Sequence, residues 1–259
     1  MLPEKEIEEI AESLFKSERE RKTMPPLTEK YPGITIEDSY KIQSSVLKRK
    51  KNEKVVGKKI GLTSKPMQDL LGVNEPDYGY ITDKMVIPEG GPVNISELIQ
   101  PKIEGEIAFV FGEGLKGPGV TASEVLKKTI GVVPAIEVID SRIKDWKIKI
   151  QDTIADNASS ARVILGSKLT SIKDIDLRLI GLVLEKNGKI VSTGAGAAVL
   201  GSPAQAVAWL ANKLSEFDVD INPNEFVMSG SLVKAEDVKA GDCVTATFDR
   251  LGKVSTRFV

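Results

Sequence analysis

The chain contains no histidine. That absence removes Ser-His-Asp and Cys-His nucleophilic catalysis and zinc sites built on imidazole. General acids and bases are left to carboxylates, lysine, tyrosine, one thiol or a metal-bound water. Any bound metal must rest mainly on oxygen, which favours Mg²⁺, Mn²⁺ or Ca²⁺. The one cysteine, Cys243, excludes an internal disulfide. It falls in a β-rich run with no basic neighbour to lower its pKa, and is expected in the core rather than as a nucleophile. No run approaches the ~20 apolar residues of a membrane span, and the opening Met1-Leu2-Pro3-Glu4-Lys5-Glu6 lacks the apolar heart of a signal peptide, so a cytoplasmic location is expected. A formal charge of -1 gives no general attraction to nucleic acid or to an anionic membrane, which points to small partners.

What is present reads as one large domain with a helical appendage: 259 residues, 41% hydrophobic, are enough for a sizeable core. Ile7, Ile10 and Leu14 recur at helical spacing among charges and predict a surface helix from Glu4 to about Glu20. A second helix is predicted after Thr35, with Thr35 and Asp38 at capping-box spacing. It ends in Lys48-Arg49-Lys50-Lys51, read as a solvated helix terminus favoured by the helix dipole. From Val55 the texture becomes short β-rich runs broken by Gly, Pro, Asn and Asp. Strands are predicted over 55–62, 103–111, 132–139, 177–185, 189–192, 225–229 and 243–248, with Asn187-Gly188 as a hairpin turn. Ser202-Pro203 opens one further helix with Val207, Leu210, Ala211 and Leu214 on one face. The boundaries drawn are 1–54 for the helical region and 55–259 for a mixed β domain.

Three carboxylates sit in the wrong surroundings. Strand alternation sets Ile103, Ile107, Phe109 and Phe111 on one face of their strand and Glu104 and Glu106 side by side on the other. Glu137 lies inside the apolar run Val132–Ile139. Unpaired buried carboxylates cost several kcal/mol each, so a cation is required. One hard metal ion shared by all three and separate lysine pairs both satisfy the pattern. Lys59 shares a strand face with Gly57 and Gly61, which leaves room for a ligand; a solvent-facing lysine fits the same pattern. The run Gly194–Gly201 follows a hairpin and lacks dinucleotide-fingerprint spacing, leaving a glycine loop around Gly196 whose N–H groups could hold a substrate carboxylate.

Five ordered segments carry a family resemblance: Gly57-Lys58-Lys59-Ile60-Gly61-Leu62-Thr63-Ser64, Pro76-Asp77-Tyr78-Gly79, Gln100-Pro101-Lys102-Ile103-Glu104-Gly105-Glu106, Asp145–Asp152 and Ala155-Asp156-Asn157-Ala158-Ser159. From about Leu27 to Val259 the chain resembles the 2-hydroxypenta-2,4-dienoate (2-oxopent-4-enoate) hydratases of aromatic meta-cleavage catabolism. These belong to the hydratase/decarboxylase family of the fumarylacetoacetate hydrolase superfamily. The resemblance implies an α+β fold with a mixed β-sheet, β-roll core, and Mg²⁺ or Mn²⁺ held by Glu104, Glu106 and Glu137. It further implies Lys59, not Lys58, as active-site lysine with Asp77 as its acid–base companion, and Ser159, Gly196 and Ser229 as substrate-binding positions. A homo-oligomer is implied, with association to a pathway decarboxylase or aldolase.

The nearest relatives with a different reaction are the 4-oxalocrotonate decarboxylases, whose counterpart of the Asp77 segment reads Pro-Ile-Tyr-Gly. Asp77 therefore favours hydration, as do the segments at Asp145 and Ser229, whereas Ser159-Ser160 and Ile87-Pro88-Glu89-Gly90-Gly91 look decarboxylase-like. Acylpyruvate hydrolysis, ordinarily assisted by histidine, is disfavoured. So is a non-catalytic partner subunit, because the lysine, the aspartate and three glutamates are intact.

Overall fold

The computed structural model describes all 259 residues, the side chains of Leu70 and Leu71 excepted. Helices α1 (Glu4–Glu20), α2 (Leu27–Lys30) and α3 (Ile36–Arg49) precede strand β1 (Val55–Gly61). Then follow α4 (Lys65–Leu71), β2 (Asp77–Thr82), β3 (Val86–Ile87), β4 (Pro92–Val93), β5 (Lys102–Phe111), α5 (Ala122–Lys128) and β6 (Thr129–Ile139). The remainder comprises α6 (Ile150–Ala155), β7 (Ser160–Leu165), β8 (Gly181–Lys186), β9 (Lys189–Ala195), α7 (Pro203–Ser215), β10 (Phe226–Ser231), β11 (Glu236–Asp237), β12 (Cys243–Phe248) and β13 (Gly252–Phe258). No described helix is long and apolar enough to cross a membrane.

The larger sheet runs β2-β1-β10-β5-β6-β7-β3, with β11 pairing beside β5; a five-stranded sheet runs β4-β13-β12-β8-β9. Period-2 alternation decides what lies between them. Ile103, Ile107, Phe109 and Phe111 of β5 and Val132, Ile136 and Val138 of β6 are fully buried with Leu182, Leu184, Val244, Ala246, Phe248, Val254 and the apolar face of α7. On its other face the larger sheet curls until β2 meets β7, and Ile81, Met85, Ala108, Val133, Ala135, Val163, Phe226 and Met228 form a separate apolar cluster there. At ~1.5–3 kcal/mol per buried large aliphatic side chain, these two clusters outweigh the hydrophobic contribution of the helical region.

The helical region has a small core of its own, Ile7, Ile10, Leu14, Leu27, Ile34, Ile42 and Val46, closed by Ile143 and Ala155 from the later chain. Thr35 caps α3 with the expected reciprocal bonds to Asp38. Gln43 reaches out of α3 to donate to both Tyr78 O (2.7 Å) and Ile154 O (2.9 Å), which ties the helices to β2 and α6.

Four expectations change. The basic end of α3 is not simply solvated: Arg49 pairs with Glu8 and Glu12 and Lys50 with Glu18, because α1 runs beside α3 and presents its acidic face. Residues Leu177–Leu179 form a 3₁₀ turn rather than the start of a strand, with β8 beginning at Gly181. Cys243 is exposed, because Val244, Ala246 and Phe248 take the inward phase of β12. Ser202 precedes α7 as expected but makes no side-chain cap. Asn187 and Gly188 both adopt positive φ, as a tight type I′ hairpin between β8 and β9 requires.

Candidate active site

The face of the larger sheet that carries the Met228 cluster changes character toward one end. Glu104 and Glu137 lie directly opposite each other across β5 and β6. Glu106, two residues along β5, shares their face, and one oxygen from each of the three carboxylates comes within 4.8 Å of the others. Glu106 and Glu137 are completely buried, and Glu104 is half-buried at the cavity. Among the described residues, Glu106 Oε1 and Glu137 Oε1 lack a hydrogen-bond donor, and Glu137 Oε2 has no hydrogen bond beyond its ion pair with Lys59; Glu106 Oε2 accepts from Gly230 N–H at 2.8 Å. Gly230 is a bulge residue of β10 at φ 108°, and a Cβ there would run into Thr63.

Lys59 enters this cluster from β1. It is 3% exposed, so a solvent-facing lysine is ruled out; its ammonium lies 3.3 Å from Glu137 Oε2 and donates to Ala158 O at 3.0 Å. Lys58, on the opposite face of the strand, is equally buried and pairs with Glu225 at 2.5 Å. Asp77, at the start of β2, pairs across the ladder with Gly61. A Cβ on Gly61 would strike the Asp77 carboxyl and crowd the Lys59 ammonium, so glycine here keeps room for those two groups. Asp77 Oδ2 accepts from Thr153 Oγ1 at 3.0 Å, and Oδ1 has no partner.

Electrostatics follow from burial. Burial pushes the Glu104 carboxyl up to about 7, against the pull of Lys59, and pushes Glu106 well above the usual carboxylate range, reinforced by Glu137 and Glu104. Asp77 is raised by burial despite Lys59 and the Thr153 hydroxyl. Burial alone would lower Lys59, but Glu137, Asp77, Glu104 and Glu106 together leave it raised and protonated.

A cavity of about 710 Å³ opens onto these groups, within the range of small-molecule sites. Lys59, Asp77, Glu104, Thr153 and Ser159 supply polar lining; Leu62, Met67, Ile139, Trp146, Ile148, Leu232 and Val233 supply apolar wall, with Lys102 and Lys234 also present. Ser159 is buried with its hydroxyl unpartnered. Ser229 is also buried and unpartnered, one residue before Gly230, but does not line the cavity. Gly196 does not line it either: a Cβ would collide with Leu177 O, so glycine answers a close crossing of backbones, and Ala198 is the cavity residue of that turn.

Residues 45–259 match the fumarylacetoacetate (FAA) hydrolase C-terminal family. The chain belongs to this family. It is 51% identical over 216 residues to a 2-hydroxypent-2,4-dienoate hydratase of Pseudomonas putida, covering 82% of this chain and 97% of that protein. It is 44% identical over 256 residues to a 2-hydroxyhexa-2,4-dienoate hydratase of Comamonas testosteroni, covering 97% of each. A solved 4-oxalocrotonate decarboxylase from Pseudomonas putida G7, complexed with magnesium and adipate, superposes with a TM-score of 0.97 at 40% identity over 100% of this chain and 99% of that one. The α+β fold expected from the sequence is therefore that of the family.

Thr153 and the carbonyl of Ala158 had not been singled out individually from the sequence, whereas Gly61 had been read as leaving room beside Lys59. A backbone carbonyl carries no sequence signal.

Proposed function

We propose that this chain is a metal-dependent hydratase that adds water to 2-hydroxypenta-2,4-dienoate to give 4-hydroxy-2-oxopentanoate, in catabolism of aromatic compounds. The observation that carries the reading is Asp77: a buried carboxyl with one free oxygen, set beside Lys59 and across from a carboxylate cluster, in a chain similar to two dienoate hydratases.

The donor set fits a hard divalent ion, Mg²⁺ or Mn²⁺. Three buried or half-buried carboxylates converge with unsatisfied oxygens and no imidazole or thiolate among them. Glu104, Glu106 and Glu137 would hold it. When bound, such an ion supplies positive charge that stabilises an anionic substrate oxygen.

The chain's own residues handle protons and water. Hydration places a proton on C5 while the dienol gives up its hydroxyl proton to leave the C2 ketone; an O–H bond of water then breaks as its oxygen bonds to C4, and a proton is returned to C3. Lys59, held protonated by the carboxylates around it, serves as donor. Asp77 Oδ1, free of internal partners, serves as the acceptor that activates water, with Thr153 fixing the other oxygen. The Ser159 hydroxyl is a substrate donor, and the walls of Leu62, Ile139 and Leu232 exclude bulk water. A homo-oligomer that associates with a pathway decarboxylase or aldolase is part of the same proposal.

Decarboxylation of 4-oxalocrotonate is the second reading, favoured by the fit to the solved decarboxylase. Purified, EDTA-stripped protein assayed by ultraviolet absorbance on fresh 2-hydroxypenta-2,4-dienoate, with and without Mg²⁺ or Mn²⁺, tests both. Metal-dependent formation of 4-hydroxy-2-oxopentanoate, with no CO₂ from 2-oxo-3-hexenedioate, is the expected result. CO₂ release without hydration would replace the hydratase by the decarboxylase.

A further inference from the structure

Strand β2 lies at the edge of the larger sheet and carries Asp77. Part of its open edge is met by a side chain rather than by a strand. Asn157 Nδ2 donates to Tyr80 O at 2.9 Å, and Tyr80 N–H donates to Asn157 Oδ1 at 2.8 Å. The carboxamide thus supplies both halves of a backbone pairing.

Asn157 also begins a run of three left-handed residues, with φ 56° at Asn157, 49° at Ala158 and 56° at Ser159. Two of the three lack the amide or glycine character that makes this region inexpensive, so something outside must hold the run. Its far side is fixed by backbone: Ser159 N–H donates to Asp156 O at 3.0 Å and Asp140 N–H to Ser159 O at 2.7 Å. Its near side is fixed by the Asn157 amide. The product of the run is functional geometry: Ala158 O accepts from Lys59, and Ser159 faces the cavity. Gly79 completes the fit. It pairs with Lys59 across β1 and β2, and a Cβ on it would run into Asn157 O.

We infer that Asn157 is a positioning residue: its carboxamide docks the left-handed turn onto the β2 edge and thereby sets the carbonyl that orients the Lys59 ammonium. This rests on Lys59 serving the reaction proposed above.

Asn157→Gly separates the clamp from the backbone requirement, because glycine adopts positive φ freely but has no amide. The expected result is a fall in kcat of about 100-fold, as for misplacement of a reacting group by roughly 1 Å, with KM and Mn²⁺ affinity within about threefold. Gly79→Ala approaches the same turn from the other side and should reproduce the defect. The double variant should be no worse than the poorer single one, since both act through one displacement. A purely structural role would lower Tm and leave kcat per folded molecule unchanged. Wild-type kcat in Asn157→Gly, or loss of Mn²⁺ affinity in step with kcat, would overturn the inference. If wild type releases CO₂ instead of hydrating, the same ratios are read on that reaction. If it does neither, the functional reading fails, and a crystal structure of Asn157→Gly decides: the Lys59–Ala158 bond must be lost for the inference to stand.

Discussion

The two ends of one sheet face share strands β2, β5 and β6 and behave oppositely. On β5, Glu104 and Glu106 give way to Ala108; on β6, Glu137 gives way to Ala135 and Val133; on β2, Asp77 gives way to Ile81; and Lys59 of β1 lies directly opposite Met228 of β10. At the apolar end every buried group stabilises the fold. At the other, four carboxyls crowd one ammonium, and Glu106, Glu137 and Asp77 keep oxygens with no donor. The lesson is that the strands supply placement for both ends, whereas the chemistry is installed at a stability cost that the neighbouring apolar end offsets.

The sharpest way to test that contrast is Glu106→Gln. Its amide oxygen can still accept from Gly230 N–H, so the fold is kept while a charge is removed. Activity with Mg²⁺ should fall by about 1,000-fold, comparable with the loss of a principal electrostatic stabiliser. The metal-free protein should become more stable, by about 1 kcal/mol in urea denaturation, because the fold no longer has to hold an acid whose ionisation burial and the neighbouring carboxylates oppose. A less stable metal-free variant would break the comparison.

The mirror experiment is Met228→Ala. It should lower stability by about 2–4 kcal/mol, as cavity-forming core substitutions do, with kcat per folded molecule unchanged.

Asp77→Asn retains the Thr153 contact and removes the proton acceptor. A kcat loss of about 100-fold with Mn²⁺ affinity preserved is expected for hydration; a variant that releases CO₂ at undiminished rate would favour the decarboxylase.

The smallest effect is on pH. Glu104 is raised to about 7 in the folded chain, so the folded state binds a proton that the unfolded state has already released. The contribution of Glu104 to the stability of the metal-free protein therefore declines as pH rises from the ordinary glutamate value toward 7 and levels off above it, and the raised Glu106 adds to the decline. Metal must displace that proton, and any held by Glu106, so calorimetric Mn²⁺ affinity should weaken by about tenfold or more for each unit below pH 7.

How much of this was legible in the sequence differs between the same two ends. Glu104, Glu106 and Glu137 announced themselves because a carboxylate in an apolar strand contradicts its surroundings. Lys58 and Lys59 could not be told apart by exposure, since both faces of β1 are covered and each ammonium has its own carboxylate. The β2 strand escaped because Pro76-Asp77-Tyr78-Gly79 has the composition of a turn. β7 and β13 escaped because Ser160, Arg162, Lys253 and Arg257 dilute their alternation. Cys243 was misplaced by one step of strand phase, a single residue being enough to exchange inside for outside.

That last detail has a practical side. An exposed thiol that is the only cysteine, and that does not line the cavity, is a unique chemical address. A maleimide fluorophore or spin label will attach at one atom without mutagenesis. The labelled protein then carries its reporter in the unaltered sequence.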